Sequence, residues 1–482
     1  MRKKGSITVF LSLLLAAVLG ASASICELIR IKCIETRYEE VIQNAGNSLL
    51  ACFCPLLLKD YDLFFLDGGF GKNTVDLNLM KKEYKAYIDE NIFPFEGMGL
   101  SKGGNLLQFK VKNIEIKGCE MAVDNKGEIF RKEAVEYMKE SKKINLIKDI
   151  LNLSDKKEKY GNFDASKENA DKTLSLISDN ELLSKVMDII GDFKLIDTVD
   201  MVLKSKRISE KSIDNTKLPS LDKALNNEED INNGDKSLIS TVLFDEYILE
   251  HFGNYTNKKE KNLDYEVEYI LAGNMEDKEN LREVINRLLV LRQPFNYAYL
   301  NGDVKKREEA AKKAALIATL TMLPEYEEAF KQVILFYWSM KESVDDVKKL
   351  LDGKEVPLIK KSENKNAKED INGKINLEKD KEKKEKDNGL KMDYKAYLHL
   401  LLLLTDEETK TLRTMDLIEK NISSNDEYKN FKIKNCIYSF EISQDIVTKG
   451  RFMPLSMLDN AYFGRINSSL GRAFSYKSQG GY

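Results

Sequence analysis

The sequence has few of the residues on which common protein chemistries depend. It contains one tryptophan, two histidines, six cysteines and seven prolines among 482 residues. So few prolines, together with many Lys, Glu and Leu, favour a mainly helical protein. No charge sign dominates either, because the formal net charge is −3 and basic residues are interleaved with acidic ones. We therefore predict no nucleic-acid partner, since nucleic-acid binding concentrates Lys and Arg on one face.

The short motifs that carry catalysis or cofactor binding are also missing. The sequence has no Gly-x-Ser-x-Gly elbow, no phosphate-binding loop, no His-Glu-x-x-His and no dinucleotide fingerprint. His251 is predicted near a helix end and His399 inside a leucine-rich helix, where packing roles are expected. Acid pairs such as Glu266 and Glu268 are no more distinctive than many others. We therefore predict no catalytic residue, no cofactor and no metal site, and assign no enzymatic activity.

The six cysteines are scattered, whereas a disulfide scaffold would be shorter and denser. The spacing of Cys52 and Cys54 does not suit zinc, and no histidine pair lies nearby. We expect buried free thiols. One pairing stays open, a bridge between Cys119 and Cys436, because both residues lie in predicted strands.

One long apolar run stands out against this background. Residues 7–25 contain no charge and follow Arg2, Lys3 and Lys4. At about 1.5 Å per residue the run is roughly 28 Å long as a helix, close to the hydrocarbon thickness of a bilayer. The basic flank predicts a cytoplasmic N-terminus. We therefore predict a single-pass cell-membrane protein with its bulk outside the cytoplasm and membrane lipid as a partner.

The fate of this run has three interpretations. We favour a retained signal anchor, because the helical pattern continues past the membrane edge. The alternatives are a secretory signal peptide cleaved at the small-x-small site of Ala21 and Ala23, and prepilin-type processing between Gly5 and Ser6.

The continuing pattern is an apolar stripe whose members recur at spacings of three and four. It predicts a long amphipathic helix that packs against partner helices of other envelope or pilus-assembly proteins. Its first five residues are Leu28, Ile31, Ile34, Tyr38 and Val41.

Farther along the chain the apolar period changes from helical to two. In residues 105–119 the apolar phase slips near Lys112 and Asn113, which predicts either a strand with a bulge or two short strands. Residues 436–446 predict a second strand that pairs with the first. A third strand is predicted at 263–269, and Pro294 is expected to kink or break the helix predicted at 281–300.

Together these patterns predict an α+β, mainly helical fold. A single transmembrane helix continues into a long amphipathic helix and carries an extracytoplasmic head with a small antiparallel sheet. The segments are a cytoplasmic leader and transmembrane anchor (1–26), a rod helix (27–58), the head (59–358), a charged low-complexity linker (359–392), C-terminal helices and a strand completing the head (393–462) and a flexible tail (463–482). Stretches near 155–172 and 206–236 are predicted to be flexible charged insertions.

Several blocks of sequence are together similar to a known group of proteins. They are KKGSITVFLSLLL at the start, DNKGEIFRKEAVEYMK (124–139), YILEHFGNYT (247–256), YEVEYILAGN (265–274), YLHLLLLLT (397–405) and NCIYSFEIS (435–443). The chain resembles an uncharacterised domain-of-unknown-function family of membrane-anchored bacterial proteins, which look related to TadE/TadG-like pseudopilins of tight-adherence (Flp-type) pilus assembly. The resemblance implies an envelope-anchored component of a pilus or secretion apparatus and supplies no catalytic residues. The chain departs from the pilin pattern at Phe10, where that pattern places Glu.

Two classes of function therefore follow. The first is a structural or assembly component, pseudopilin-like, of a tight-adherence pilus or related secretion apparatus. The second is a cell-envelope receptor or hydrolase with an acidic site in the head. A pocket in which two carboxylates converge would favour the second class.

Overall fold

The computed structural model describes residues 4–92, 107, 109–140, 172–173, 175, 180–190, 198–204, 206–214, 218–222, 237–360, 391–448, 450–452 and 470–477. It is mainly helical, with small antiparallel sheets and one long apolar N-terminal helix, which confirms the predicted fold class. The expected single head divides into two compact units. Unit 1 comprises Met1–Tyr137, Asn227–Asn232 and Ile422–Tyr482, and unit 2 comprises Met138–Asn226 and Asn233–Asn421.

Unit 1 combines helices from the N-terminal part of the chain with strands from both ends. Its elements are α1 (Lys4–Leu50), α2 (Pro55–Tyr61), β1 (Leu66–Asp67), α3 (Leu77–Ile92), β2 (Lys110–Met121), α4 (Asp124–Glu140, which runs past the unit boundary), β5 (Cys436–Val447) and β6 (Leu470–Lys477).

The sheet of unit 1 is built around β5, which pairs antiparallel with β1, β2 and β6. The predicted pairing of 105–119 with 436–446 is confirmed, with Glu115 opposite Ser443. The predicted slip is confirmed as well, because the register shifts between Lys112 and Glu115 and Asn113 has a φ of 52°. Strand β6 lies in the segment expected to be a flexible tail. It pairs with Ser439–Ile446 of β5. Without β6, these residues of β5 would have an unpaired strand edge.

Helix α1 has two halves with different surroundings. Most large apolar side chains from Ile7 to Leu19 are more than half exposed. From Ile34 onward the helix is buried along one side in a core that also contains Met80, Tyr84 and Ile88 of α3 and Ile437, Phe440 and Ile442 of β5. In the described part of the chain, α1 is the one helix long and apolar enough to cross a membrane.

In its described residues, unit 2 consists of helices and one two-stranded sheet. Its elements are α5 (Asn180–Ile190), α6 (Thr198–Leu203), α7 (Leu238–His251), α8 (Glu266–Ala272), α9 (Asp277–Gly302), α10 (Val304–Thr321), α11 (Glu327–Leu351), β3 (Val356–Pro357), β4 (Lys391–Met392), α12 (Tyr394–Leu403) and α13 (Glu407–Ser423, which runs past the unit boundary). Helix α11 packs against both α9 and α10.

The strand prediction for 263–269 is wrong, because Glu266–Ala272 is helix α8. The alternation of apolar and charged residues suggested a strand with one solvent-exposed face, but Glu266 and Glu268 are buried like their apolar neighbours. The helix ends at Gly273, whose φ of 80° lies in the left-handed region. A Cβ there would lie 2.5 Å from the Arg413 guanidinium, which is a second reason for glycine.

Pro294 neither breaks nor ends α9, which runs through it from Asp277 to Gly302. The proline removes one N–H, and the carbonyl that loses its partner belongs to Val290. The side chain of Val290 is 53% exposed. That carbonyl is therefore on the wet side of the helix, where water can replace the missing donor.

Part of the predicted insertion 206–236 is packed within unit 2. Ile213 and Leu218 are buried, and Ser212 forms an isolated bridge with Glu276. The insertion near 155–172 and nearly all of the linker 359–392 lie outside the described residues, so those predictions stay predictions. Composition marks charge, but it does not reveal the few apolar residues that hold such a segment in place.

Cys119 and Cys436 are free thiols, so the open disulfide pairing is absent. The register explains this result. Cys119 lies opposite Phe440, whereas Cys436 lies opposite Asp67 of β1, so the two cysteines are displaced along neighbouring strands. Burial, followed by the charge of Asp124, raises the pKa of the Cys119 thiol.

Candidate functional site

Both predicted processing positions lie within the continuous helix α1. Gly5 and Ser6 are in its first turns, and Ala21 and Ala23 lie near its middle. Each backbone is helical there, and neither processing prediction is tested by this arrangement. Both remain predictions.

The predicted partner-packing stripe is used largely by the chain itself. Ile34, Tyr38 and Val41 are buried in the core of unit 1, where α3 and the sheet cover them, and Leu28 and Ile31 are half-buried. These three buried side chains do not remain for a partner helix. What stays exposed is the opposite side of α1, which we call the outer stripe: Cys26, Ile29 and Cys33.

A buried ion pair marks the end of the apolar half of α1. Glu27 is fully buried, and its Oε1 accepts hydrogen bonds from the Arg30 guanidinium at 2.6 and 3.0 Å. Its Oε2 accepts from the backbone N–H groups of Arg451 (3.2 Å) and Phe452 (2.9 Å). Arg30 also donates to the Thr448 hydroxyl at 3.4 Å. A segment from the C-terminal part of the chain therefore closes over α1 at this level.

Unit 2 contains a cluster of buried carboxylates around α8. Oε2 of Glu266 accepts from the Gly253 N–H at 2.8 Å, and Oε1 accepts from the Asn421 amide at 2.6 Å. Oε1 of Glu268 accepts from the Tyr255 N–H at 2.9 Å and from the Tyr394 hydroxyl at 2.7 Å. Both acids thus hold the loop between α7 and α8 by its backbone.

Two further acids fix the neighbouring segments. Asp277, at the start of α9, accepts from the N–H groups of Asp264 and Tyr265 and from the Ser209 hydroxyl, at 2.9, 3.1 and 2.7 Å. Asp416 of α13 accepts from the Ser220 N–H and the Tyr269 hydroxyl, each at 2.9 Å. The described parts of 206–222 are therefore held to the helices of unit 2 through carboxylates.

Burial sets the protonation of this cluster. Loss of hydration raises the pKa of Glu268 to about 7, and hydrogen bonds from Tyr255 and Tyr394 only partly offset it. The same cause raises the pKa of Glu266 to about 6 and that of Asp416 to about 6. Among the described residues, Oε2 of Glu268 has no hydrogen-bond partner. A protonated Glu268 suits such a site, since a buried charge without a cation is costly.

A cleft of about 530 Å³ opens beside the cluster. Its lining residues are Arg207, Ile208, Ser209, Glu210, Lys258 and Asp264. Asp264 binds Lys211 at 2.7 Å and Lys258 at 3.3 Å. Partial burial alone would raise its pKa, but the two lysines outweigh burial and lower the pKa of Asp264. Asp264 on the cleft wall is therefore ionised and paired, which makes it a poor general acid or base.

A second buried network joins α9, α11 and α12. Arg292, fully buried, donates to Asp346 (2.7 Å), the Leu358 carbonyl (2.7 Å) and the Tyr397 hydroxyl (3.0 Å). Burial would raise the pKa of Asp346, but Arg292 and Lys360 lower it. This network satisfies its charges internally and presents none of them to a ligand.

These arrangements organise loops and do not bring together a reactive set. In the described residues, no group of three His, Cys, Asp or Glu side chains has the arrangement of a metal site. The roles of Glu266 and Glu268 were missed from the sequence. A signal was present in residues 265–274, where two acids stand among tyrosines and aliphatic residues with no basic residue beside them.

The fold and these sites define a class: an α+β protein with one candidate membrane-spanning helix at its N-terminus and a body held by buried carboxylates. The chain belongs to the family of unknown function DUF5702, whose sequence profile matches residues 178–448. The match covers the carboxylate cluster, the Arg292 network and β5, and α1 precedes it. No curated protein and no solved structure matches the chain.

Proposed function

We propose that this protein is a membrane-anchored, extracytoplasmic structural or assembly component, pseudopilin-like, of a tight-adherence pilus or related secretion apparatus. The observation that carries the proposal is the division of α1. One uninterrupted helix has an exposed apolar half of membrane-spanning length and a second half that is a core element of unit 1. Such a helix would fix the position of unit 1 relative to the membrane, as an assembly component requires.

The flanks of α1 support the orientation in this proposal. Arg2, Lys3 and Lys4 precede the apolar run, and basic residues favour the cytoplasmic side. The bulk of the chain then lies outside the cytoplasm. A periplasm-dependent or cell-surface reporter fused after Tyr482 is expected to be active. Activity of a cytosol-dependent reporter at that position would refute the orientation.

The outer stripe supplies the surface for a neighbouring helix. Cys26, Ile29 and Cys33 recur at spacings of three and four on the side of α1 away from its core, and Ile29 is 58% exposed. Its position just past the membrane segment suits contact with another anchored helix. This surface replaces the buried Ile34, Tyr38 and Val41 as the predicted packing site.

The test uses the native thiols in intact membranes. A thiol-specific cross-linker is expected to capture a neighbour through Cys26 and Cys33, and Ile29→Asp should reduce capture severalfold without unfolding unit 1. Cys436→Ser is the matched control, since Cys436 is buried and should not affect capture. Recovery of only the uncross-linked monomer in wild-type membranes would contradict the assembly role.

The receptor or hydrolase alternative receives less support from the described residues. Glu266 and Glu268 are buried with their lone pairs directed at loop N–H groups, and Asp264 is held by two lysines. Of the two carboxylates that line the described cleft, Glu210 and Asp264, the second is already neutralised by Lys211 and Lys258. Binding of cell-wall glycan fragments that is lost in Asp264→Asn would revive this alternative.

A further inference from the structure

The segment that closes over Glu27 has a consequence for the membrane boundary. Glu27 comes two residues after the end of the charge-free run, and its carboxylate is covered by the backbone of Arg451 and Phe452. A bare carboxylate at the edge of the hydrocarbon would be costly. Arg30 and the two backbone N–H groups replace the water that it would otherwise need.

The position of Phe452 follows from this contact. Its N–H lies 2.9 Å from Glu27, and its side chain is 47% exposed. On the other side of α1, Ile25 and Ile29 are 57% and 58% exposed. Exposed apolar side chains are therefore present at the level of Glu27 on the side of Ile25 and Ile29, and Phe452, next to the exposed Arg451, adds one in the segment that covers Glu27.

We propose that Phe452 is a second membrane contact, seated in the interfacial layer of the outer leaflet beside the end of the α1 anchor. The inference rests on the proposed membrane anchoring of α1. The interfacial layer is about 5–8 Å thick on each side of the hydrocarbon, and one helical turn covers about 5 Å. A residue hydrogen-bonded to Glu27 therefore falls within that layer. Aromatic side chains are favoured at this depth.

This contact ties the two ends of the chain to one membrane level. Thr448, Arg451 and Phe452 follow directly after β5, the central strand of the unit 1 sheet. The sheet is thereby fixed to the bilayer at two points, α1 and Phe452. Two attachment points restrict tilting of unit 1 about the emerging helix, which a single helix does not.

The experiment measures the depth of single tryptophans in the full-length protein reconstituted into phosphatidylcholine vesicles. Lipids carry bromine near the headgroup or near the middle of the acyl chain, and the wild type supplies the background from Trp338, its one tryptophan. The added fluorescence of Phe452→Trp should fall by about half with shallow bromine and much less with deep bromine. Leu19→Trp, which is 61% exposed in wild type as Leu, should show the reverse order.

Phe53→Trp is the control outside the membrane, because α1 carries the chain roughly 35 Å from Glu27 to its end at Leu50, three residues before Phe53. If Leu19→Trp is quenched but Phe452→Trp is not, the proposed contact is overturned and the anchor stands. If Leu19→Trp is not quenched, the anchor itself fails and the contact with it. Equal quenching at Phe452→Trp and Phe53→Trp also overturns the proposal, since it would report non-specific contact with lipid.

Discussion

Glu268 shows how one buried acid gives unit 2 a pH dependence. Its pKa is raised from 4.5 to about 7, so the folded state holds the proton more tightly than the unfolded state does. The stabilisation is fully present below about pH 4.5 and is lost as pH rises through about 7, an effect on the order of 3 kcal/mol. Glu266 and Asp416 act in the same direction with pKa values of about 6.

We therefore predict that unit 2 is more stable near pH 5 than near pH 8, and that Glu268→Gln reduces this difference. Gln cannot ionise, while its carbonyl oxygen can still accept from Tyr255 and Tyr394. Fluorescence of Trp338, which lies in α11 of unit 2, reports thermal unfolding at each pH. Glu181→Gln is the control, since Glu181 is 81% exposed at its side chain. An unchanged pH dependence in Glu268→Gln would show that another group controls it.

Loss of the Arg292 side chain should destabilise unit 2 strongly. Arg292→Leu leaves Asp346 with one cation fewer and removes the donor to the Leu358 carbonyl, all in a buried site. We expect a loss of about 3–5 kcal/mol in the free energy of unfolding. The midpoint of guanidinium unfolding, followed through Trp338, measures it.

The matched comparison is Lys185→Met, which removes a solvent-exposed ion pair with Glu181. Such pairs contribute about 0–1 kcal/mol. Equal losses in the two variants would mean that the Arg292 network is not the main support of α9 and α11.

At the scale of elements, one side of α1 is buried in the unit 1 core and the other side is exposed. Ile42 is fully buried in the unit 1 core, whereas its neighbour Gln43 is exposed. Ile42→Ala is predicted to cost about 2–5 kcal/mol through lost burial and a cavity. Hydrogen exchange of the α3 and β5 amides should quicken in Ile42→Ala and stay unchanged in Gln43→Ala. Protection retained in both would contradict the assigned core.

Elements with one strong period were predictable, and those governed by distant partners were not. Alternation at 436–446 and the phase slip near Asn113 identified β5, β2 and their pairing. A strand with one buried face shows alternating apolar and polar residues, and that alternation also restricts its register. Helix α8 was missed because both of its faces are buried. Pro294 was expected to kink or break α9, since the sequence does not show that Val290 is on the wet side.

The candidate sites were harder to predict than the fold. Spacing identified the side of α1 that is apolar, but not that α3 and the sheet would cover Ile34, Tyr38 and Val41. The sequence around Glu27 does not reveal its contacts with Arg451 and Phe452, which lie more than four hundred residues later. Contacts of that range follow from topology and leave no local pattern.

For the whole molecule, unit 1 depends on both ends of the chain. A chain that stops after Ser424 lacks β5 and therefore the strand that joins β1 and β2. We predict that unit 1 of this truncated chain is rapidly digested by protease, while the Trp338 unfolding transition of unit 2 persists. A chain that stops after Phe452 is the control and should keep unit 1 resistant. If the shorter chain also loses the Trp338 unfolding transition of unit 2, the two units fold as one.

The late position of β5 also dictates an order of events during biosynthesis. The ribosome delivers α1 first, yet the strand that completes its core emerges only after the whole of unit 2. Throughout that interval the core side of α1 from Ile34 onward has no sheet to cover it, and closing so long a loop adds a further entropic delay. Nascent chains should therefore need a holding chaperone for this side of α1 until translation is nearly finished.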